Sequence, residues 1–88
     1  MQGKTTSGFK FEVNEEAIKS MEFVELLCDL NENRLLMGRV IKFMLGEDQK
    51  EKLYKHVRGN KEFTSAEDVE KEINEIFDLA NEAPETKN

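Results

Sequence analysis

The segment between Leu35 and Leu45 constrains the fold more than any other part of the chain. It reads Leu-Leu-Met-Gly-Arg-Val-Ile-Lys-Phe-Met-Leu, and eight of its eleven residues are apolar. On a helix, at about 100° per residue, these side chains cover nearly the whole circumference and leave a narrow arc to Gly38, Arg39 and Lys42. Such a helix must be enclosed by the rest of the domain, by a partner, or by both. The segment therefore predicts a protein that works by association.

Length and charge narrow the range of functions further. The chain has 88 residues and a net charge of −6, which predicts one small domain spanning residues 1–88. Its basic residues are scattered among acidic ones, so nucleic-acid binding is disfavoured. No apolar run approaches the roughly 20 residues that cross a bilayer, so we expect no membrane partner. Domains of this size are often marginally stable alone, which favours a homo-oligomer.

Cysteine usage and the first residues bear on the compartment. The single cysteine, Cys28, has no second thiol for an internal disulfide, and it lies among leucines, where we expect an inert core thiol. The first eight residues are polar and lack the apolar centre of a signal peptide. We therefore expect a cytoplasmic protein.

The N-terminal region predicts one short strand. Residues 1–8 read as a flexible lead-in, and residues 9–13 form an extended arm in which apolar and charged residues alternate. A lone strand needs a hydrogen-bonding partner. Two pairings are open: residues 61–63 of the same chain, or the same arm in a second chain.

Helical spacing dominates residues 14–83, and residues 84–88 read as a tail. Asn14 is placed to cap a first helix that runs to Leu30, and the apolar segment forms the second. Gly46 suits the left-handed end of that helix, and a third helix follows it. Residues 64–67 predict a capping box for the fourth helix, with Thr64 as the cap and the preceding phenylalanine as a hydrophobic staple. The expected fold is mainly α: a small four-helix domain with a short extended N-terminal arm.

No pattern in the sequence indicates catalysis, a cofactor or a metal site. His56 is the only histidine, and it suits the end of the third helix, where the helix dipole favours a cation. A pH switch is the alternative interpretation. The many carboxylates follow helix starts and the faces opposite the apolar stripes, as on a solvated surface. We therefore expect no enzyme.

The apolar residues that ring the second helix suggest a protein interface instead. Methionine adapts well to irregular partner surfaces, and three short helices cannot easily cover the whole segment. Phenylalanines of the arm suit either an internal sheet or a strand that pairs with another chain. The candidate interface residues are Phe9, Phe11, Phe23, Leu27, Met37, Val40, Ile41 and Met44.

The order of these features resembles a known family. An arm reading S-G-F-K-F-E-V leads into M-E-F-V-E, and the apolar helix ends in L-G-E-D-Q-K. This resembles the small tail assembly chaperones of long-tailed phages and prophages of Gram-positive bacteria, over roughly residues 8–80. The resemblance implies a helical, oligomerising protein that binds the tape measure protein, keeps it soluble during tail morphogenesis and helps recruit the tail tube protein. It also implies a protein of the bacterial cytoplasm that is absent from the mature virion.

A different class fits the same composition. A small helical adaptor or antitoxin-like regulator of a mobile element would sequester one folded protein through a helix face. Gene context distinguishes the two, because a long tape-measure reading frame immediately downstream favours the chaperone.

Overall fold

A computed structural model describes residues 1–82 of the chain. Within that range the fold is mainly helical, with a short two-stranded antiparallel sheet at the N-terminus. The predicted fold class is therefore confirmed. The elements are β1 (Gln2–Lys4), β2 (Lys10–Glu12), α1 (Glu15–Ile18), α2 (Met21–Glu32), a 3₁₀ turn (Arg34–Leu36), α3 (Met37–Leu45), α4 (Glu47–Arg58) and α5 (Ala66–Glu82). The expected end of the helical body at residue 83 and the tail at 84–88 lie outside the described residues.

The arm pairs with the segment that we expected to be a flexible lead-in. β1 and β2 form a hairpin in which Gly3 lies opposite Phe11. The alternation in the arm explains the pairing, because Phe9, Phe11 and Val13 are buried while the charged residues between them face solvent. The partner expected within the chain, residues 61–63, forms bends and not a strand, so the arm does not pair there.

Close packing inside the hairpin requires a glycine. A Cβ atom at Gly3 would lie 2.7 Å from Cζ of Phe11, so the Phe11 ring packs over bare backbone. A further hydrogen bond joins the two strands at the end opposite the loop, where the Met1 amine donates to the Val13 carbonyl at 2.9 Å. These contacts hold the first strand in place, and Met1 packs against the core.

The expected first helix is divided in two. Asn14 caps α1 as predicted, and its side chain accepts from the amides of Glu16 and Ala17. Ser20 then caps α2 by accepting from the Phe23 amide at 3.2 Å. The same hydroxyl donates to the Ala17 carbonyl at 2.6 Å. Ser20 therefore satisfies groups from both helices, which stabilises a break that the apolar periodicity does not reveal.

The start of the last helix also differs from the prediction by one residue. The Asp68 amide donates to the hydroxyl of Ser65 at 3.2 Å, so Ser65 caps α5. Thr64 instead donates to the Tyr54 carbonyl at 3.4 Å. Phe63 is 77% exposed, so it does not form the expected staple.

The apolar segment is enclosed largely by its own chain. Its first residues form the 3₁₀ turn, where Leu35 is exposed, and the helix proper begins at Met37 and ends before Gly46, whose φ of 86° matches the predicted left-handed residue. One face of α3 is fully buried, at Val40, Ile41, Met44 and Leu45. The hairpin residues Phe9 and Phe11 belong to the same core cluster as this face.

Hydrogen bonds hold the hairpin against the helices. The Gln49 side chain of α4 accepts from the Glu12 amide at 2.7 Å and donates to the Glu12 carbonyl at 2.7 Å. At the hairpin loop, the amide and hydroxyl of Thr6 donate to Glu75 of α5 at 2.7 and 2.6 Å. The hairpin is thus clamped at two points, one on each of two helices.

The enclosed core predicts that leucine-to-alanine substitutions at two positions change the free energy of unfolding by very different amounts. Leu53→Ala removes a fully buried side chain at the core centre, and Leu35→Ala removes one that is 90% exposed. We expect Leu53→Ala to lower the free energy of unfolding by about 2–5 kcal/mol, because it leaves a cavity. Leu35→Ala should change it by less than about 0.5 kcal/mol. Urea unfolding followed by circular dichroism measures both, and equal losses would contradict this packing.

Candidate functional site

An apolar groove lies between α2, α3 and α5. Its volume is about 200 Å³. Each helix contributes side chains at helical spacing, and the lining comprises Phe23, Leu27, Leu30, Met37, Val40, Met44, Glu70, Ile73, Asn74 and Phe77. The groove is accessible to solvent, because several of its lining side chains are only partly buried, including Leu27, Met37 and Phe77. It can therefore accept apolar side chains from outside the chain.

Five of the eight residues predicted as an interface line this groove: Phe23, Leu27, Met37, Val40 and Met44. The other three, Phe9, Phe11 and Ile41, are buried core residues that do not line it. Phe23, Val40 and Met44 are also buried, so they form the floor, while Leu27 and Met37 form accessible walls. The surface available to a partner is thus narrower than the predicted set.

Aromatic packing shapes the floor of the groove. The Phe23 ring stacks on Phe43, with ring centroids 5.8 Å apart, and contacts Phe77 at 6.0 Å in a tilted arrangement. Phe23 is 1% exposed, so its ring position is fixed by these neighbours. Beside it, the partly buried Met37 adds a side chain that can change rotamer to fit an irregular surface. The floor is therefore closely packed, whereas the wall at Met37 is adaptable.

The contribution of α5 was missed in the interface prediction. Ile73 and Phe77 follow each other at i and i+4 and line the groove together with Asn74. Their helical spacing indicates an apolar face of α5, but it does not show that this face stays accessible. Leu30 was missed in the same way on α2.

A ridge of exposed apolar residues on α2 continues from the groove. Met21 is 64% and Val24 45% exposed, and Cys28 is exposed as well. These three residues, here called the α2 ridge, lie at i, i+3 and i+7, so they share one side of the helix next to Leu27. The expectation that Cys28 is a core thiol is corrected, because Phe23, Leu27 and Leu30 take the inward positions of α2.

One ion pair lies at the edge of the groove. The Arg34 guanidinium of the 3₁₀ turn contacts the Glu70 carboxylate of α5. Both side chains keep solvent exposure, at 63% and 37%, so the pair contributes little to stability. The pair matters because of where it lies: Glu70 lines the groove, and its carboxylate already has a cation beside it.

A polar cluster lies elsewhere, where the hairpin loop meets α4 and α5. Ser7 donates its hydroxyl proton to Glu72 at 2.8 Å and lies 2.9 Å from Nε2 of His56. Because the serine has one proton and gives it to the carboxylate, Nε2 of His56 is the donor in the second bond. A nucleophilic serine needs the opposite arrangement, in which the imidazole accepts its proton. The cluster therefore anchors the hairpin and does not form a catalytic triad.

Several other features of residues 1–82 lie outside the groove. A depression of about 650 Å³ lies beside the hairpin and α1 and is lined partly by the acids Glu12, Glu15 and Glu16. Burial, and secondarily the nearby Glu47, raises the pKa of Tyr54, which lies outside the groove. Within residues 1–82, no three histidine, cysteine or acidic side chains are grouped as metal ligands. None of the helices in that range has the length and apolar character to span a bilayer.

Comparison of the chain with protein-family models, curated proteins and solved structures finds no match. The interpretation of the groove therefore rests on its own geometry.

The groove predicts uptake of a neutral apolar probe. We expect the dye Nile red to bind the folded chain, and Leu27→Gln to lower its affinity about tenfold, because an amide in an apolar site costs about 1–3 kcal/mol when it lacks a partner. Phe63→Gln, at an exposed position outside the groove, should leave dye binding unchanged. Circular dichroism verifies that both variants are folded, and equal dye binding by the two would contradict the assignment.

Proposed function

We propose that this chain is a tail assembly chaperone that holds an apolar helix of another protein in the groove between α2, α3 and α5. The observation that carries the proposal is the lining itself: apolar side chains from three helices that stay accessible in the folded chain. An amphipathic helix presents apolar residues at i, i+3, i+4 and i+7, and a groove between helices is the usual receptor for that pattern.

The client that we propose is the tape measure protein of the same phage or prophage. The resemblance of the sequence to tail assembly chaperones supports this choice, since such chaperones keep that long helical protein soluble during tail morphogenesis. Exposed apolar stripes on separate helices of such a client would otherwise associate with one another. The acidic surface of the chain, with a net charge of −6, would keep the loaded complex soluble.

Self-association and recruitment of the tail tube protein belong to the same proposal. The exposed Met21 and Val24 of the α2 ridge support an additional contact between proteins, because apolar side chains of this size gain free energy when they leave water. The proposed site of action is the bacterial cytoplasm, before the tail is complete.

Co-expression with the tape measure protein tests the proposal. The wild-type chain should raise the soluble fraction of the tape measure protein and co-purify with it. Leu27→Gln should lose most of this effect, because it places an amide in the groove that the client has to desolvate. Phe63→Gln is the control, since it makes an exposed apolar residue polar outside the groove.

Two outcomes would contradict the proposal. A tape measure protein that stays insoluble with the wild-type chain would remove the chaperone function and favour the adaptor interpretation. Full solubilisation by a folded Leu27→Gln variant would show that the client binds elsewhere.

A further inference from the structure

Charge is distributed unevenly among the helices. α2 carries four acidic residues and no basic one, and α5 carries seven acidic residues and one lysine. In contrast, α3 and α4 together carry six lysines and arginines and three acidic residues. Two of the three helices that form the groove are therefore strongly negative, to a degree that the net charge of −6 conceals.

Acidic side chains border the groove along α5. The groove-lining residues of that helix include Glu70 and Asn74, and the exposed Glu67 and Asp78 lie one turn away from them on the outer side. Lys71, the single basic residue of α5, lies between these two acids and offsets part of their charge. Along α2, the apolar α2 ridge borders the groove, and the acidic residues of that helix lie on the far side of the ridge from the groove. A helix in the groove would thus meet carboxylates on one side and apolar residues on the other.

The chain already contains one contact of the kind that a basic partner would make. Arg34 places its guanidinium on Glu70, the carboxylate that lines the groove. The pair is solvent-exposed, so this carboxylate accepts a cation without deep burial of either group. Glu67 and Asp78 at the same edge are exposed to solvent.

From this charge complementarity we propose that the occupant of the groove is an amphipathic helix whose apolar stripe is bordered by lysine or arginine residues. The inference rests on the proposed function, because it specifies the chemistry of the partner for the same groove. Opposite charge at the rim accelerates association and rejects helices with acidic borders, whereas the apolar lining supplies most of the affinity.

Two synthetic peptides test this inference. They share one leucine stripe and differ only in the bordering residues, which are lysine in one peptide and glutamate in the other. By isothermal titration, the lysine peptide should bind the full chain at least about tenfold more tightly at low salt, since several exposed charge pairs act together. The difference should shrink to about twofold near 1 M salt, where the Debye length is about 3 Å.

A matched pair of charge reversals locates the effect. Glu67→Lys, at the α5 edge of the groove, should weaken binding of the lysine peptide about threefold. Glu51→Lys makes the same change at an exposed position of α4, outside the groove, and should leave that affinity unchanged. Equal effects of the two variants would contradict a local role of the α5 edge.

The outcomes separate the inference from the proposed function. If both peptides bind equally and Leu27→Gln weakens both, the groove binds helices without charge selection, and the inference is wrong while the proposed function stands. If neither peptide binds, or if Leu27→Gln changes neither affinity, both the inference and the proposed function are contradicted.

Discussion

Burial of one face of α3 is the constraint on which the rest of the structure depends. Val40, Ile41, Met44 and Leu45 lose almost all contact with water, and α4 and α5 contribute Leu53 and Ile76 to the same core. The hairpin adds Phe9, Phe11 and Val13 to this core, and it is tied to α4 and α5 by hydrogen bonds. The first residues are therefore structural, although their polar composition predicts a flexible lead-in.

The groove results from the way the same helices share their apolar residues. The buried Val40 and Met44 of α3 belong to the core and also form the floor of the groove, and the partly buried Met37 lies beside them. Phe23 packs against Phe43 and Phe77 at the floor of the groove. Apolar residues thus serve two purposes in one chain: some complete the core, and others line a groove that remains accessible. This arrangement gives a small domain an accessible apolar groove beside a closely packed core.

Much of the fold follows from local sequence signals, and the differences have local causes. Asn14, Gly46 and the alternation in the arm are read correctly because each acts through its nearest neighbours. The break at Ser20 is missed, since its hydroxyl bonds to two helices within a continuous apolar pattern. The strand pairing is missed for a similar reason: β1 has one residue facing the core, a glycine, so it carries no apolar alternation.

The site is predicted in part, because periodicity identifies apolar faces but does not show which of them remain accessible. The apolar periodicity identifies Leu27 and Met37, which are accessible. It also places Ile41 in the predicted interface, although that side chain is fully buried. The central claim is that this folded chain binds a helix in its groove, and nuclear magnetic resonance mapping tests it most directly. On titration with the lysine-bordered peptide, we predict amide shifts at Leu27, Met37 and Phe77 and little change in the hairpin. Shifts concentrated in the hairpin or α4, with the groove unchanged, would contradict the account.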